Sequence, residues 1–204
     1  LNMDSFQNIA EISVKNKIKK VFWPSSIAVF GTESKLDFVS QNPLMNPSTM
    51  YGITKLAGEK LIEYYFNRFG LDIRSLRYPG IISTETVPGG GTTDYIIEMV
   101  NAAKKGENYC CFLSENTKLP MMYIDDAIES AINLMSVNRN NLSISNSYNI
   151  TGFSITPIQL LNEILSNGFK IKVDFDKNPE QAIVKKLYEN NIQSIIIEGG
   201  RKTI

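Results

Sequence analysis

Histidine is absent from this 204-residue chain, and cysteine occurs only twice, at the adjacent positions Cys110 and Cys111. Without imidazole no serine-histidine triad or histidine general acid can be built, and the Cys/His spacing of a zinc centre cannot be assembled, so no metal is expected. Acid-base chemistry near neutral pH is left to carboxylates, lysine or a tuned tyrosine. Neighbouring cysteines rarely bridge without strain. Both are therefore read as reduced thiols, buried in the apolar run "NYCCFL". Net charge is missing too, since 21 basic residues balance 21 acidic ones. Bulk charge announces neither a nucleic-acid footprint nor a funnel for acidic substrates, and the expected ligand is small. No apolar run has the length of a bilayer span, and "LNMDSFQNIAEISVKNKIKK" lacks the apolar core and cleavage site of a secretory signal. These features predict a cytoplasmic protein with no membrane or nucleic-acid partner.

What is present alternates between strands and helices. Residues 4–18 predict an amphipathic helix whose apolar side is Phe6, Ile9, Ala10, Ile12 and Val14. Val21 to Trp23 then suit a buried strand that ends where Pro24 stops pairing. A polar loop leads to a long helix at about 49–69 with Gly70 as its C-cap. "LDIRSLRYPGII" reads as a second strand, and "VPGGGTTDY" as a Gly-rich loop entering a helix at about 94–105. "NYCCFL" and "LPMMYI" are short strands, "DDAIESAINLMSV" a helix whose Asp125 and Asp126 read as caps, "SYNI" a strand, and "TPIQLLNEIL" a helix opened by Thr156 and Pro157. Strands at 171–175 and 194–198 flank a helix at about 179–190. Such alternation implies an α/β fold with a mainly parallel sheet.

Nucleotide-binding folds of this class begin with a strand and a Gly-rich turn that seats a pyrophosphate on a helix N-terminus. No G-x-G-x-x-G occurs here. A sequence truncated at its N-terminus is the expectation.

The stretch "PSTMYGITKLAGEKLIEYY" places Tyr51 and Lys55 at i and i+4, on one helix face. A free phenol titrates near ~10 and needs a nearby cation to act as a base at neutral pH. Lys55 supplies one. A hydroxyl from the "PSS" turn, at the C-terminal end of a strand where open α/β sheets bind ligands, completes the set: Ser26 orients an alcohol while Tyr51 removes its proton. Y-x-x-x-K alone is more often a solvated helix face, and Ser25 and Ser26 alone more often a turn cap. Methionine and tyrosine alternating in "LPMMYIDD" read as strand core.

"PSSIAVFG", "YGITKLAGEKLIEYY" and "DIRSLRYPGII", in that order and spacing, resemble the extended short-chain dehydrogenase/reductase superfamily, the NAD-dependent epimerase/dehydratase family. With "PGGGTTDY", "CCFLSENTKLPMMYIDDAI" and "SYNITGFSITP" the chain from about 2 to 165 is similar to the threonine dehydrogenase branch of that superfamily. The resemblance implies a partial Rossmann-like, doubly wound, mainly parallel sheet over 1–172 with a small C-terminal substrate lobe. It implies oxidation of the C3 hydroxyl of L-threonine to 2-amino-3-ketobutyrate with NAD as cofactor, and it allows a homodimer. By it Tyr51 is the general base, Lys55 also holds the nicotinamide ribose, and Ser26 is the Ser/Thr partner. Ser25, Tyr78, Gly80 and Ile81 line the cofactor, and Thr92, Thr93 or Asp94 takes the ammonium or carboxylate of the amino acid. Whether NAD or NADP is preferred is set by a segment that the sequence does not contain. The alternatives are a nucleotide-sugar epimerase or dehydratase using the same three residues, and a non-catalytic fragment. The tail 173–204 departs from the family: "KKLYENNIQSIIIEGGRKTI" resembles a segment of the riboflavin-biosynthesis reductase domain, which predicts a join near 165–180.

Overall fold

A computed structural model describes residues 2–31, 39–85 and 91–176. In chain order the elements are α1 (Asn2–Lys15), β1 (Lys20–Phe22), β2 (Ser25–Ser26), a 3-10 turn (Ile27–Val29), α2 (Met50–Phe69), β3 (Asp72–Tyr78) and β4 (Gly80–Ile82). They continue as α3 (Tyr95–Lys105), β5 (Tyr109–Cys111), β6 (Leu119–Tyr123), α4 (Ile124–Ser136), β7 (Ser147–Asn149), β8 (Phe153–Ile155), α5 (Pro157–Ser166) and β9 (Val173–Phe175). The helix and strand expected at 179–190 and 194–198, the E-G-G tail, and the loop residues 87–90 lie outside the described residues. The chain divides into two compact units: Leu1–Pro79 with Asp125–Ile150, and Gly80–Ile124 with Thr151–Ile204.

The first unit is built on β3, the central strand of a parallel sheet. β7 pairs with one edge of it, and β1 and β2 with the other. Lys20 faces Asp72 and Ser26 faces Tyr78, so β1 and β2 hold one register along β3. β1 thus ends just before Pro24, in line with the sequence reading, and a second short strand, β2, takes up the same register beyond it. Proline removes one donor from the ladder, Trp23 still donates to the Arg74 carbonyl at 2.9 Å, and pairing resumes at Ser25. That continuation carries the serines to the strand's C-terminal end.

The sheet is wound on both faces. Ile73 and Arg77 point toward α2, where Ile73 joins Phe6, Ile62, Tyr65 and Leu71 in a core. Arg74 and Tyr78 point toward α4: Arg74 donates to the carbonyls of Leu134 at 2.5 Å and Val137 at 2.7 Å, satisfying groups that the helix end leaves unpaired. Helix α1 stops at Lys15 rather than residue 18, with Lys17 in the left-handed region at φ 54. Its buried stripe is Phe6, Ala10 and Ser13, while Ile9 and Ile12 are exposed. At about 100° per residue those three fall on one side, and the packing of α1 on α2 selected that side.

In the second unit β4 pairs in parallel with β6, β6 antiparallel with β8, and β5 in parallel with β9. Val173–Phe175, on the tail side of residue 172, thus extends a ladder begun at Tyr109. Helices α3 and α5 close the core over Met99, Cys111, Met121 and Leu160. Both methionines of "LPMMYI" are buried. The cysteines are not both buried: Cys111 is, and Cys110 is exposed, because successive strand residues face opposite sides. Thr156 caps α5 in a full capping box with Gln159, and Pro157 holds the first position. Among the described residues no helix is long and apolar enough to cross a membrane.

Candidate active site

The first turn of α2 is fixed by Thr49, whose hydroxyl accepts the Gly52 N–H at 3.0 Å. Lys55 of this helix meets the serine segment at the Pro24 carbonyl, and Tyr51 lies one turn before it beside the same ammonium. Tyr51 is 49% exposed and Lys55 only 8%. The Lys55 ammonium donates to the Pro24 carbonyl at 2.6 Å and lies 4.6 Å from the centre of the Trp23 ring and 5.5 Å from that of Tyr51. Burial pushes its pKa below the usual lysine value. Ser26 ends β2, and its oxygen caps the 3-10 turn by accepting the Ala28 N–H at 3.2 Å. That bond leaves the hydroxyl's own hydrogen unused.

What locks the serine turn to the tyrosine helix is Gly52. A Cβ there would collide with the Ala28 carbonyl oxygen and lie 2.8 Å from the Pro47 Cβ. The backbone of the turn therefore rests on the helix between Tyr51 and Lys55, at a separation only glycine permits. Gly52→Ala is expected to force these backbones apart and to lower stability by about 1–3 kcal/mol, the usual cost of overpacking. Urea unfolding measures that loss, and an unchanged midpoint would refute the close contact.

Beneath this contact lies a buried polar network that the sequence reading missed. Glu59, one turn beyond Lys55, receives the Ser25 hydroxyl at 2.6 Å and two Arg77 nitrogens at 2.9 and 2.7 Å. Arg77 also donates to the Gln41 carbonyl and the Asn149 side chain. Ser25 is thus committed to Glu59. The spacing Tyr51, Lys55, Glu59, each four residues on, was the available signal. Tyr78 gives its hydroxyl to the Ala127 carbonyl at 2.8 Å, and burial pushes its pKa up.

The remaining predicted residues belong to the second unit. Gly80 and Ile81 open β4, and Thr93 packs directly on Gly80, where a Cβ would meet the threonine methyl and would stand 2.5 Å from the Met121 sulfur. Thr92 is exposed, Thr93 and Asp94 half-buried. The Asp94 carboxylate accepts the Gly91 N–H at 2.8 Å, which braces the end of the Gly-rich loop against α3. The structure therefore gathers Ser25, Ser26, Tyr51, Lys55 and Tyr78 on one unit, and Gly80, Ile81, Thr92, Thr93 and Asp94 on the other.

Residues 1–151 match the pattern of the NAD dependent epimerase/dehydratase family. The chain belongs to that family. It is 37% identical over 194 residues to an uncharacterised epimerase/dehydratase of Staphylococcus haemolyticus, covering 95% of this chain and 61% of the relative. It is 38% identical over 184 residues to the mitochondrial L-threonine 3-dehydrogenase of Bos taurus, covering 90% of this chain and 49% of that protein. Among solved structures, the holo form of a GalE-like L-threonine dehydrogenase from Cupriavidus necator superimposes with a TM-score of 0.81 at 43% identity, over 89% of this chain and 60% of that one. The chain thus spans about half to three-fifths of the length of these relatives.

Proposed function

We propose that this epimerase/dehydratase-family chain carries the catalytic helix of an NAD-dependent dehydrogenase acting on the C3 hydroxyl of L-threonine. The observation that carries the reading is the Gly52 contact, which sets the Ser26 turn against the helix bearing Tyr51 and Lys55 within one unit. In this reading Ser26 donates its hydroxyl hydrogen to the substrate oxygen, and Tyr51 takes the substrate's hydroxyl proton as general base. Lys55 provides the positive charge beside the phenol. NAD, when bound, supplies a hydride acceptor for the alcohol carbon.

The donors suit that cofactor. Lys55 is an ammonium held at the end of a strand and Tyr51 a half-exposed phenol, the groups that a ribose diol hydrogen-bonds, and they would hold the nicotinamide ribose. Tyr78, Gly80 and Ile81 are assigned to its nicotinamide end. The Ser25 side chain is engaged by Glu59, so its assignment to the cofactor rests on its backbone. Thr92, Thr93 or Asp94 takes the ammonium or carboxylate of the amino acid. The product is 2-amino-3-ketobutyrate, the setting cytoplasmic, and the residues from 173 a divergent tail.

The test is formation of reduced nicotinamide by the purified chain and by a full-length relative carrying its residues 1–172. Turnover of L-threonine supports the reading. Conversion of UDP-galactose to UDP-glucose, a redox-neutral step that leaves no net reduced nicotinamide and is therefore read by chromatography of the sugar nucleotides, without turnover of threonine overturns it in favour of a sugar-nucleotide epimerase, a class that the staphylococcal relatives keep in play by name. Calorimetry with NAD then decides whether the 204-residue chain acts alone or is a non-catalytic part.

A further inference from the structure

The chain has a single tryptophan, and its position is unusual for a strand residue. Trp23 sits between β1 and β2 with its ring laid on α2 at Gly58, where a Cβ would clash with the ring edge and come within 2.6 Å of its Cζ2 atom. Phe6 of α1 meets the same ring edge-to-face at 5.4 Å. The Lys55 ammonium occupies the ring's face at 4.6 Å. Gly58 and Lys55 are three residues apart, hence neighbours on one stripe of α2, so the indole spans the gap that glycine leaves and reaches the lysine head.

Lys55 needs such support. A half-open cavity of about 210 Å³ flanks it, walled by Phe6, Ile9, Val21 and Trp23, with Ser5 the polar side chain contributed by α1. No acidic side chain lines that cavity among the described residues. Glu59, on the next turn of α2, is engaged by Ser25 and Arg77, and Tyr51 offers a ring rather than a carboxylate. The groups that favour the charged lysine are the Pro24 carbonyl and two aromatic faces.

We propose that Trp23 is a positioning residue for Lys55: its indole, seated with its benzo edge against α2 because Gly58 has no Cβ, holds the ammonium over its face, charged and docked at the Pro24 carbonyl. An aromatic face attracts a desolvated cation more strongly than an exposed one, and it does so without supplying a negative charge that would compete for the phenol's proton. The inference deepens the dehydrogenase reading, in which Lys55 must remain cationic, and rests on it for its consequence. The experiment reads Lys55 itself and requires no turnover.

The full 204-residue chain is labelled with isotopic lysine and the Lys55 methylene signal, identified by its loss in Lys55→Met, is titrated by NMR. Two results are expected in the unsubstituted chain: an upfield ring-current displacement of that signal, and a pKa below that of free lysine. Trp23→Leu keeps the site apolar but removes the ring, and is expected to lower the Lys55 pKa further by about half to one and a half pH units. Trp23→Phe restores part of that drop. Gly58→Ala retains both residues but lifts the indole off α2, and is expected to lower the pKa in the same direction. A Lys55 pKa unmoved by Trp23→Leu and Gly58→Ala overturns the proposal, as does an equal drop in Trp23→Phe and Trp23→Leu. Should Trp23→Leu fail to fold, Gly58→Ala and the ring-current displacement decide alone.

Discussion

Replacing Tyr51 by phenylalanine is expected to slow the proposed oxidation of threonine by roughly 10²–10⁴-fold, the range attributed to a positioned general base. The hydroxyl oxygen is the only heavy atom removed. Tyr51 is 49% exposed and its ring contributes to no buried cluster, so the variant should unfold within about 0.5 kcal/mol of the parent. Steady-state rates of nicotinamide reduction, beside a urea unfolding curve for each protein, separate lost chemistry from lost structure. A variant that keeps its rate removes Tyr51 from the mechanism. A variant that loses both rate and stability shows the tyrosine to be a packing residue. The same logic predicts little effect from Thr54→Ala, whose hydroxyl merely returns to the Tyr51 carbonyl at 2.9 Å.

Glu59→Leu is expected to give the largest loss of stability, about 3–5 kcal/mol, because it strands a buried guanidinium. The Arg77 and Glu59 side chains are 0% and 1% exposed and 2.7 Å apart. Without the carboxylate, Arg77 keeps the Gln41 carbonyl and the Asn149 oxygen but loses both charge-assisted bonds, and Ser25 loses its acceptor. Such a cost is a large share of the ~5–15 kcal/mol that holds a typical domain together. The double variant Glu59→Leu with Arg77→Met should recover most of it, since a buried ion pair often exchanges for apolar residues of similar volume without net loss. Urea midpoints for the two singles and the double, at unchanged slope, measure the coupling. Additive singles would show that the pair does not act as a unit. The pair matters beyond stability because Ser25 adjoins Ser26 and Glu59 follows Lys55 by one turn, so one carboxylate ties the serine segment to the helix.

The legible parts of the fold are those decided locally. Gly70 ends α2 as anticipated, in the left-handed conformation at φ 67, and Thr156 with Pro157 opens α5. Caps act through bonds within a few residues, so sequence spacing suffices to find them. The catalytic candidates were legible for the same reason, since i and i+4 share a helix face wherever the helix is placed. Apart from the early end of α1 at Lys15, the misreadings are matters of which surface a neighbour covers. Ile9 and Ile12 look like core until α1 packs on α2 through Phe6 and Ala10. Cys110 and Cys111 look alike until strand β5 turns one to each side. That pairing resumes beyond Pro24 shows only when β3 lends its register to the residues on both sides.

Order along the chain determined the helix carrying Tyr51 and Lys55, its Gly70 C-cap, the α/β alternation and the exclusion of histidine chemistry. These need only local hydrogen bonds and composition. Tertiary structure alone decided that Gly52 rests on the Ala28 carbonyl, that Glu59 unites Ser25 with Arg77, and that the lone tryptophan covers Lys55. Those contacts join residues 18 to 34 positions apart in the chain, and no periodicity encodes a distance that only the packing of α2 on its sheet creates.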